Sequence, residues 1–68
     1  MTRKIIIGSA LEKVEVSKNE AREVERLMLF TTADRQLQFD KWLQGCPSPE
    51  ARMRRINVGK ALRLKVPE

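Results

Sequence analysis

The stretch Val16-Ser17-Lys18-Asn19-Glu20 constrains the fold more than any other part of this 68-residue chain. Ser17 followed three positions later by Glu20 is a capping box, in which each side chain accepts a hydrogen bond from the backbone N–H of the other residue. Before it, Val14 and Val16 alternate with charged residues, which is typical of a half-buried strand. The sequence therefore predicts that a strand passes directly into a helix at Ser17.

The residues before this junction predict a β-hairpin over 1–16. The β-branched run RKIII at 3–7 predicts the first strand, and Gly8-Ser9 supplies a two-residue turn with glycine first, as a type II′ turn prefers. An isolated hairpin is unstable in water. Helices must therefore pack on one of its faces.

Residues 17–45 carry helical periodicity. Apolar or small residues recur at steps of three and four, at Ala21, Val24, Leu27, Met28 and Thr31. If the helix breaks at Thr31-Thr32-Ala33, Thr32 is the predicted second N-cap. In either case the pattern continues with Leu37, Phe39, Trp42 and Leu43 up to Gly45, a suitable helix-ending glycine. The pattern leaves open whether this region is one bent helix or two.

A further helix is predicted from Ser48-Pro49, because serine is a good N-cap and proline fits the first helical position. Its inward residues are predicted to be Ala51, Met53 and Ile56. Gly59 is predicted to end it or to begin a turn. Alternation of Leu62, Leu64 and Val66 with Arg63 and Lys65 then predicts a short strand that can join the hairpin.

These elements predict one small α+β domain over 1–68, with a hairpin at 1–16, helices at 17–45 and a basic helix, turn and strand at 46–68. A core in a chain below about 70–80 residues rarely supplies more than roughly 3–5 kcal/mol. Cys46 is the single cysteine and histidine is absent, so neither an internal disulfide nor a zinc site is available as a staple. The oligomeric state and the order of the last segment stay open.

Composition narrows the function. With no histidine, a Ser–His or Cys–His pair is impossible, and Gly59-Lys60 lacks both the upstream glycine and the Ser/Thr of a phosphate loop. We predict no enzymatic activity, no metal or other cofactor and no small-molecule substrate. The lone cysteine, the lack of a signal-peptide apolar region and the lack of a membrane-length apolar run predict a cytoplasmic protein with no membrane contact.

Positive charge is concentrated in residues 46–68, which hold six Lys/Arg against two Asp/Glu in a chain of net charge +5. Such a segment predicts contact with a nucleic-acid backbone or an acidic protein surface. The candidate residues are Arg52, Arg54, Arg55, Lys60, Arg63 and Lys65. None of the three aromatic residues lies among them, which disfavours single-strand stacking.

Two kinds of partner follow from the residues. Residues 33–58 can be read as a helix-turn-helix with SPEARMRRINV as recognition helix, so a DNA-binding repressor or accessory protein using 48–66 is one alternative. A protein partner is the other, because both faces of the first strand are apolar and a small domain hardly covers both. The candidate protein-binding residues are Ile5, Ile7, Arg22 and Arg26.

The opening MTRKIIIGSALEKVEVSKNEAREVERLMLF, in a small, basic chain without histidine, resembles the small regulators with which bacteriophages take over host RNA polymerase, one of them from a Xanthomonas phage. This resemblance implies binding near the amino-terminal part of the β′ subunit, interference with σ-dependent initiation, and antitermination near the RNA exit channel. It also implies that the hairpin and first helix face the polymerase. An inhibitor or toxin aimed at another acidic host protein stays open.

Overall fold

A computed structural model describes residues 2–7 and 12–67 of the chain. Two strands and three helices follow in the order β1 Thr2–Ile7, β2 Glu12–Ser17, α1 Lys18–Met28, α2 Thr32–Gln44 and α3 Pro49–Ala61. This is a small α+β domain, as the sequence predicts. The predicted turn at Gly8-Ser9 lies outside the described residues.

The hairpin is antiparallel, and it places Ile5 opposite Val14 and Arg3 opposite Val16. Ser17 is both the last residue of β2 and the N-cap of α1. Its hydroxyl accepts from the Glu20 N–H at 3.2 Å, while its own N–H donates to Glu20 Oε1 at 2.7 Å. The predicted capping box and the direct passage from strand to helix are confirmed.

Residues 17–45 form two helices, which answers the question left by the periodicity. The second N-cap is Thr31, whose hydroxyl accepts from the Asp34 N–H at 3.4 Å. The prediction of Thr32 as N-cap is therefore wrong by one residue. Thr31 takes this position because its backbone is extended, which lets its carbonyl accept the first helical bond from the Arg35 N–H at 2.7 Å.

The third helix begins at Ser48, as predicted, but it does not end at Gly59. Gly59 is buried inside α3, and a Cβ added to it would meet the ring of Phe39 and lie 2.6 Å from Val66 Cγ1. Glycine is thus required because α2 and the C-terminal segment approach the α3 backbone closely. The helix ends two residues later, at Ala61, in a Schellman motif, with Arg63 at φ 60° and the Leu64 N–H donating to the Gly59 carbonyl at 2.9 Å.

The C-terminal segment, residues 62–67, is not the third strand that its alternation predicted. The sheet of the described residues has two strands. Leu64 and Val66 pack on α2 instead. The Lys65 N–H donates to Gln36 Oε1 at 2.8 Å, and Gln36 Nε2 donates to the Lys65 carbonyl at 3.0 Å. The Gln36 side-chain amide therefore makes the two backbone hydrogen bonds that a neighbouring strand would otherwise make.

The core consists of two groups of buried side chains. The first lies between the hairpin, α1 and α3, and the second joins α1, α2 and the C-terminal segment. Within α3, Ala51 is buried as predicted, but Met53 is 58% exposed and Val58 is buried instead. Because Gly59 was read as the end of the helix, the prediction did not include Val58, Gly59 and Ala61, which are buried near the C-terminal end of α3. No helix within the described residues is long and apolar enough to span a membrane.

Candidate interaction surfaces

Glu20 is the centre of a buried charge cluster, although it is a residue of the capping box. Its side chain is nearly inaccessible, with the residue 3% exposed. Arg54 Nε lies 2.8 Å from Glu20 Oε1, and Arg55 Nε lies 3.6 Å from Glu20 Oε2. Two of the six predicted contact cations therefore point into the domain.

Arg55 is also held by α2. Its guanidinium lies 4.8 Å from the centre of the Trp42 ring, and its Nη1 donates to the Trp42 carbonyl at 2.6 Å. Stacking on an aromatic face and a hydrogen bond to a backbone carbonyl both favour a fixed guanidinium. Through Glu20, Trp42 and Arg55, the start of α1 is joined to α2 and α3.

The cluster keeps Glu20 ionised. Burial raises the pKa of this carboxyl, but hydrogen bonds from Arg54 and Ser17, together with the charge of Arg54, leave the pKa below its ordinary value of 4.5. The hydrogen bond to Glu20 likewise raises the pKa of Arg54 above its usual value. At neutral pH the Glu20 carboxylate and the Arg54 guanidinium are therefore both charged.

The hairpin presents a different isoleucine from the two predicted as partner contacts. Ile7 is fully buried and Ile5 packs against the core, whereas Ile6 is 59% exposed. The register pairs Ile5 with Val14 and so turns the odd-numbered isoleucines toward the helices. Ile5 and Ile7 are thus core residues, and Ile6 is the isoleucine that a partner can reach.

The turn between α1 and α2 exposes apolar side chains beside arginines. Leu29 is 87% exposed, and Met28 next to it is exposed as well. The predicted partner residues Arg22 and Arg26 are exposed on the outward face of α1, which Leu29 continues at three- and four-residue spacing. Arg26 pairs with Glu23 at 2.8 Å. We call Arg22, Arg26, Met28 and Leu29 the α1–α2 corner.

The backbone of this corner is fixed by Arg35. Its Nε donates to the Leu27 carbonyl at 2.8 Å, and its Nη2 donates to the carbonyls of Met28 and Phe30, each at 3.0 Å. Leu27 and Met28 belong to the last turn of α1, where carbonyls lack their usual helical partners, although the Leu27 carbonyl also accepts from the Phe30 N–H at 3.2 Å. Leu29 is therefore displayed on an ordered backbone, which lowers the entropic cost of binding through it.

Sequence reasoning did not find Leu29 or Arg35. A signal for Leu29 was present, because Leu27-Met28-Leu29-Phe30 is a run of four apolar residues on a helix that buries one face. At least one of them must point outward. No local pattern indicates Arg35, since its partners lie five to eight residues earlier in the chain.

The remaining predicted cations lie on the surface. Arg52, Lys60, Arg63 and Lys65 are exposed, and their side chains have no ion-pair or hydrogen-bond partner among residues 2–7 and 12–67. We call these four residues the basic end.

The geometry of α3 is unfavourable for reading bases in a major groove. Arg54 and Arg55 belong to the cluster around Glu20, and the exposed residues of α3 include Glu50, Met53 and Asn57. A recognition helix needs polar and basic side chains free to reach base edges. In the helix-turn-helix alternative, the two central arginines of the proposed recognition helix are therefore not free to contact bases.

Within the part of the chain that the structure describes, no three His, Cys, Asp or Glu residues are grouped to hold a metal ion. Cys46 is half-buried and unpaired. No protein family, curated protein or solved structure matches the chain.

Proposed function

We propose that this protein is a small transcription regulator that binds bacterial RNA polymerase and interferes with σ-dependent initiation, causes antitermination, or does both. The resemblance of residues 1–30 to phage-encoded polymerase regulators supports the choice of partner. The observation that carries the proposal is the α1–α2 corner, where Leu29 is 87% exposed on a backbone fixed by Arg35.

The chemistry of the corner suits a protein partner. An apolar side chain that enters a pocket slows dissociation, whereas surrounding charges mainly raise the rate of encounter. Leu29 provides the apolar anchor, and Arg22 and Arg26 provide positive charge beside it. The matching surface on the polymerase is an apolar pocket with an acidic rim.

The test is co-elution with nuclease-treated RNA polymerase core on a sizing column at about 0.3 M salt, where binding through phosphates alone is much weakened. We expect stoichiometric co-elution of the unchanged protein and at least about tenfold weaker binding of Leu29→Asp. Leu37→Asp is the matched control, because Leu37 is exposed on the outward face of α2. Absence of co-elution, or equal losses in both variants, would contradict the proposal.

The charges are tested separately by kinetics. Reversing Arg22 and Arg26 to Glu is expected to slow association about tenfold at low salt and to change dissociation little. The double variant Lys41→Glu/Arg52→Glu alters the net charge equally on α2 and α3 and serves as control. If the control slows association as much, the contribution is that of net charge and not of the α1–α2 corner.

A further inference from the structure

We propose that the basic end contacts the phosphate backbone of duplex DNA without sequence preference, and that Gln36 is a positioning residue for it. This goes beyond polymerase binding, because it concerns residues other than those of the α1–α2 corner and is tested with naked DNA. A failure of either proposal therefore leaves the other intact.

Three of the four charges, Lys60, Arg63 and Lys65, have no large exposed apolar side chain next to them in the described chain. The large apolar side chains exposed on the described part of the chain are Ile6, Met28, Leu29, Leu37 and Met53. Only Met53 lies on α3, where it follows Arg52 and stands about two turns before Lys60. Protein-binding surfaces usually contain a buried apolar or aromatic anchor, whereas a phosphate backbone is bound by cations and hydrogen-bond donors alone.

The backbone of the C-terminal segment is held in place by hydrogen bonds. Arg63 and Lys65 are exposed while Leu64 between them is buried. The Arg63 N–H donates to the Lys60 carbonyl at 3.0 Å, and both backbone groups of Lys65 are bound by the Gln36 amide. These two cations therefore project from an ordered segment, so little backbone entropy is lost when a ligand binds.

Duplex DNA fits better than the other polyanions. No aromatic residue belongs to the basic end, so single-stranded bases have nothing to stack on. Duplex DNA has the higher charge density, which gives each cation a larger electrostatic gain. Because Arg54 and Arg55 point inward, base reading is not expected.

Asp40 places an acidic group beside Lys65. Gln36 Nε2 also donates to Asp40 Oδ1 at 2.9 Å, which holds a carboxylate close to Lys65. Asp40→Asn is therefore expected to tighten binding by about two- to threefold at low salt. Asp34→Asn, which is on the same helix at the distant N-terminal turn, is expected to change affinity less.

The main experiment measures binding of a labelled duplex of about 20 base pairs by fluorescence anisotropy between about 0.05 and 0.2 M salt. Four phosphate contacts predict a log–log salt slope of about −3.6. Lys60→Gln/Arg63→Gln/Lys65→Gln is expected to reduce the magnitude of this slope by about 2.7. The control Arg3→Gln/Lys4→Gln/Lys13→Gln removes three exposed charges from the hairpin and is expected to reduce it by less than about 1.

Four results would overturn the assignment. The first three are equal slopes for the two triple variants, a preference of more than about tenfold between unrelated duplex sequences, and displacement of the duplex by poly-glutamate at equal charge concentration. Displacement by poly-glutamate would make an acidic protein surface the partner. Tighter binding of a single strand of the same length would likewise reject the duplex.

The role of Gln36 is tested by Gln36→Leu, with Gln38→Leu on the same helix as control. We expect about a two- to tenfold loss of duplex affinity for Gln36→Leu, because the cations are no longer pre-positioned. The salt slope should not change, since no charge is removed. Equal affinities of the two variants would reject a positioning role, and a changed slope would reject the mechanism. Matching circular dichroism spectra establish that both variants are folded.

Discussion

Arg54 and Arg55 lie within 3.6 Å of the Glu20 carboxylate, whereas Arg52, Lys60, Arg63 and Lys65 have no carboxylate partner among the residues described. All six belong to one basic segment of the sequence. Counting all six charges therefore overestimates by two the number of cations that a polyanion can contact. The inward side of α3 uses its arginines to hold the fold together, and the outward side leaves its cations free for ligands.

The two sides also differ in what a substitution does. A buried carboxylate that loses its charge leaves guanidinium groups desolvated and unpaired, which strongly destabilises a domain. An exposed cation without a partner can be replaced with little effect on folding. Substitutions on the two sides should therefore affect stability and ligand binding separately, and three variants and one pH series test this.

The largest effect is expected for Glu20→Gln. It is expected to lower the free energy of unfolding by about 3 kcal/mol, because Arg54 and Arg55 lose the carboxylate that compensates their charge. Urea unfolding followed by circular dichroism measures this. Glu25→Gln, on the exposed side of the same helix, is expected to change stability by less than about 0.5 kcal/mol. Similar values for both would mean that the inward arginines contribute little to the fold.

The next effect is expected for Gly59→Ala, which adds a methyl group where Phe39 and Val66 contact the α3 backbone. A loss of about 2 kcal/mol is expected, because the added carbon forces α2 or the C-terminal segment outward. Lys60→Ala is the control on the outward side, where the change should be close to zero. Increased stability of Gly59→Ala, as its better helix propensity alone would give, would show that the packing there is loose.

A smaller and opposite effect is expected for Arg63→Gly. Arg63 has φ 60°, a conformation that costs a residue with a side chain about 1 kcal/mol and glycine much less. The variant is expected to be more stable by up to about 1 kcal/mol and to bind duplex DNA with a salt slope smaller in magnitude by about 0.9. A higher stability together with a salt slope of smaller magnitude would show that Arg63 affects folding and DNA binding in opposite directions. Unchanged duplex binding would remove Arg63 from the basic end.

The contribution of Glu20 is also expected to depend on pH. Because the pKa of folded Glu20 lies below its ordinary value of 4.5, its contribution to stability is complete above that value and is lost as pH falls through the folded pKa. The difference in urea midpoint between the unchanged protein and Glu20→Gln should therefore be constant from pH 7 to about 5 and shrink below about 4.5. A difference that persists at pH 3 would contradict this linkage.

The sequence predicted the elements whose signals are local. The capping box at Ser17-Glu20, the N-cap at Ser48 and the alternation in β2 depend on residues within a few positions of each other. The features that it missed depend on distant residues. Gly59 resembles a helix end by itself, and its role appears only when Phe39 and Val66 are placed against it.

The candidate surfaces were predicted in part for the same reason. Arg22 and Arg26 are exposed as expected, because helical spacing alone places them opposite the apolar stripe. Three consecutive isoleucines do not by themselves show which face of the strand is buried. The helices that pack on the hairpin bury the face with Ile5 and Ile7 and leave Ile6 exposed. The pairing of Arg54 with Glu20 joins residues 34 positions apart, which no periodicity reveals.

The amide of Gln36 has a further consequence for solubility. An extended segment with free backbone groups is a template on which a second chain can add a strand, and such growth leads to aggregation. Gln36 occupies both backbone groups of Lys65, while the Leu64 N–H is already bonded to Gly59. Flanking charges at Arg63 and Lys65 and the proline at position 67 add further obstacles to pairing. The C-terminal segment can thus lie outside the sheet and still resist joining a neighbouring molecule's sheet.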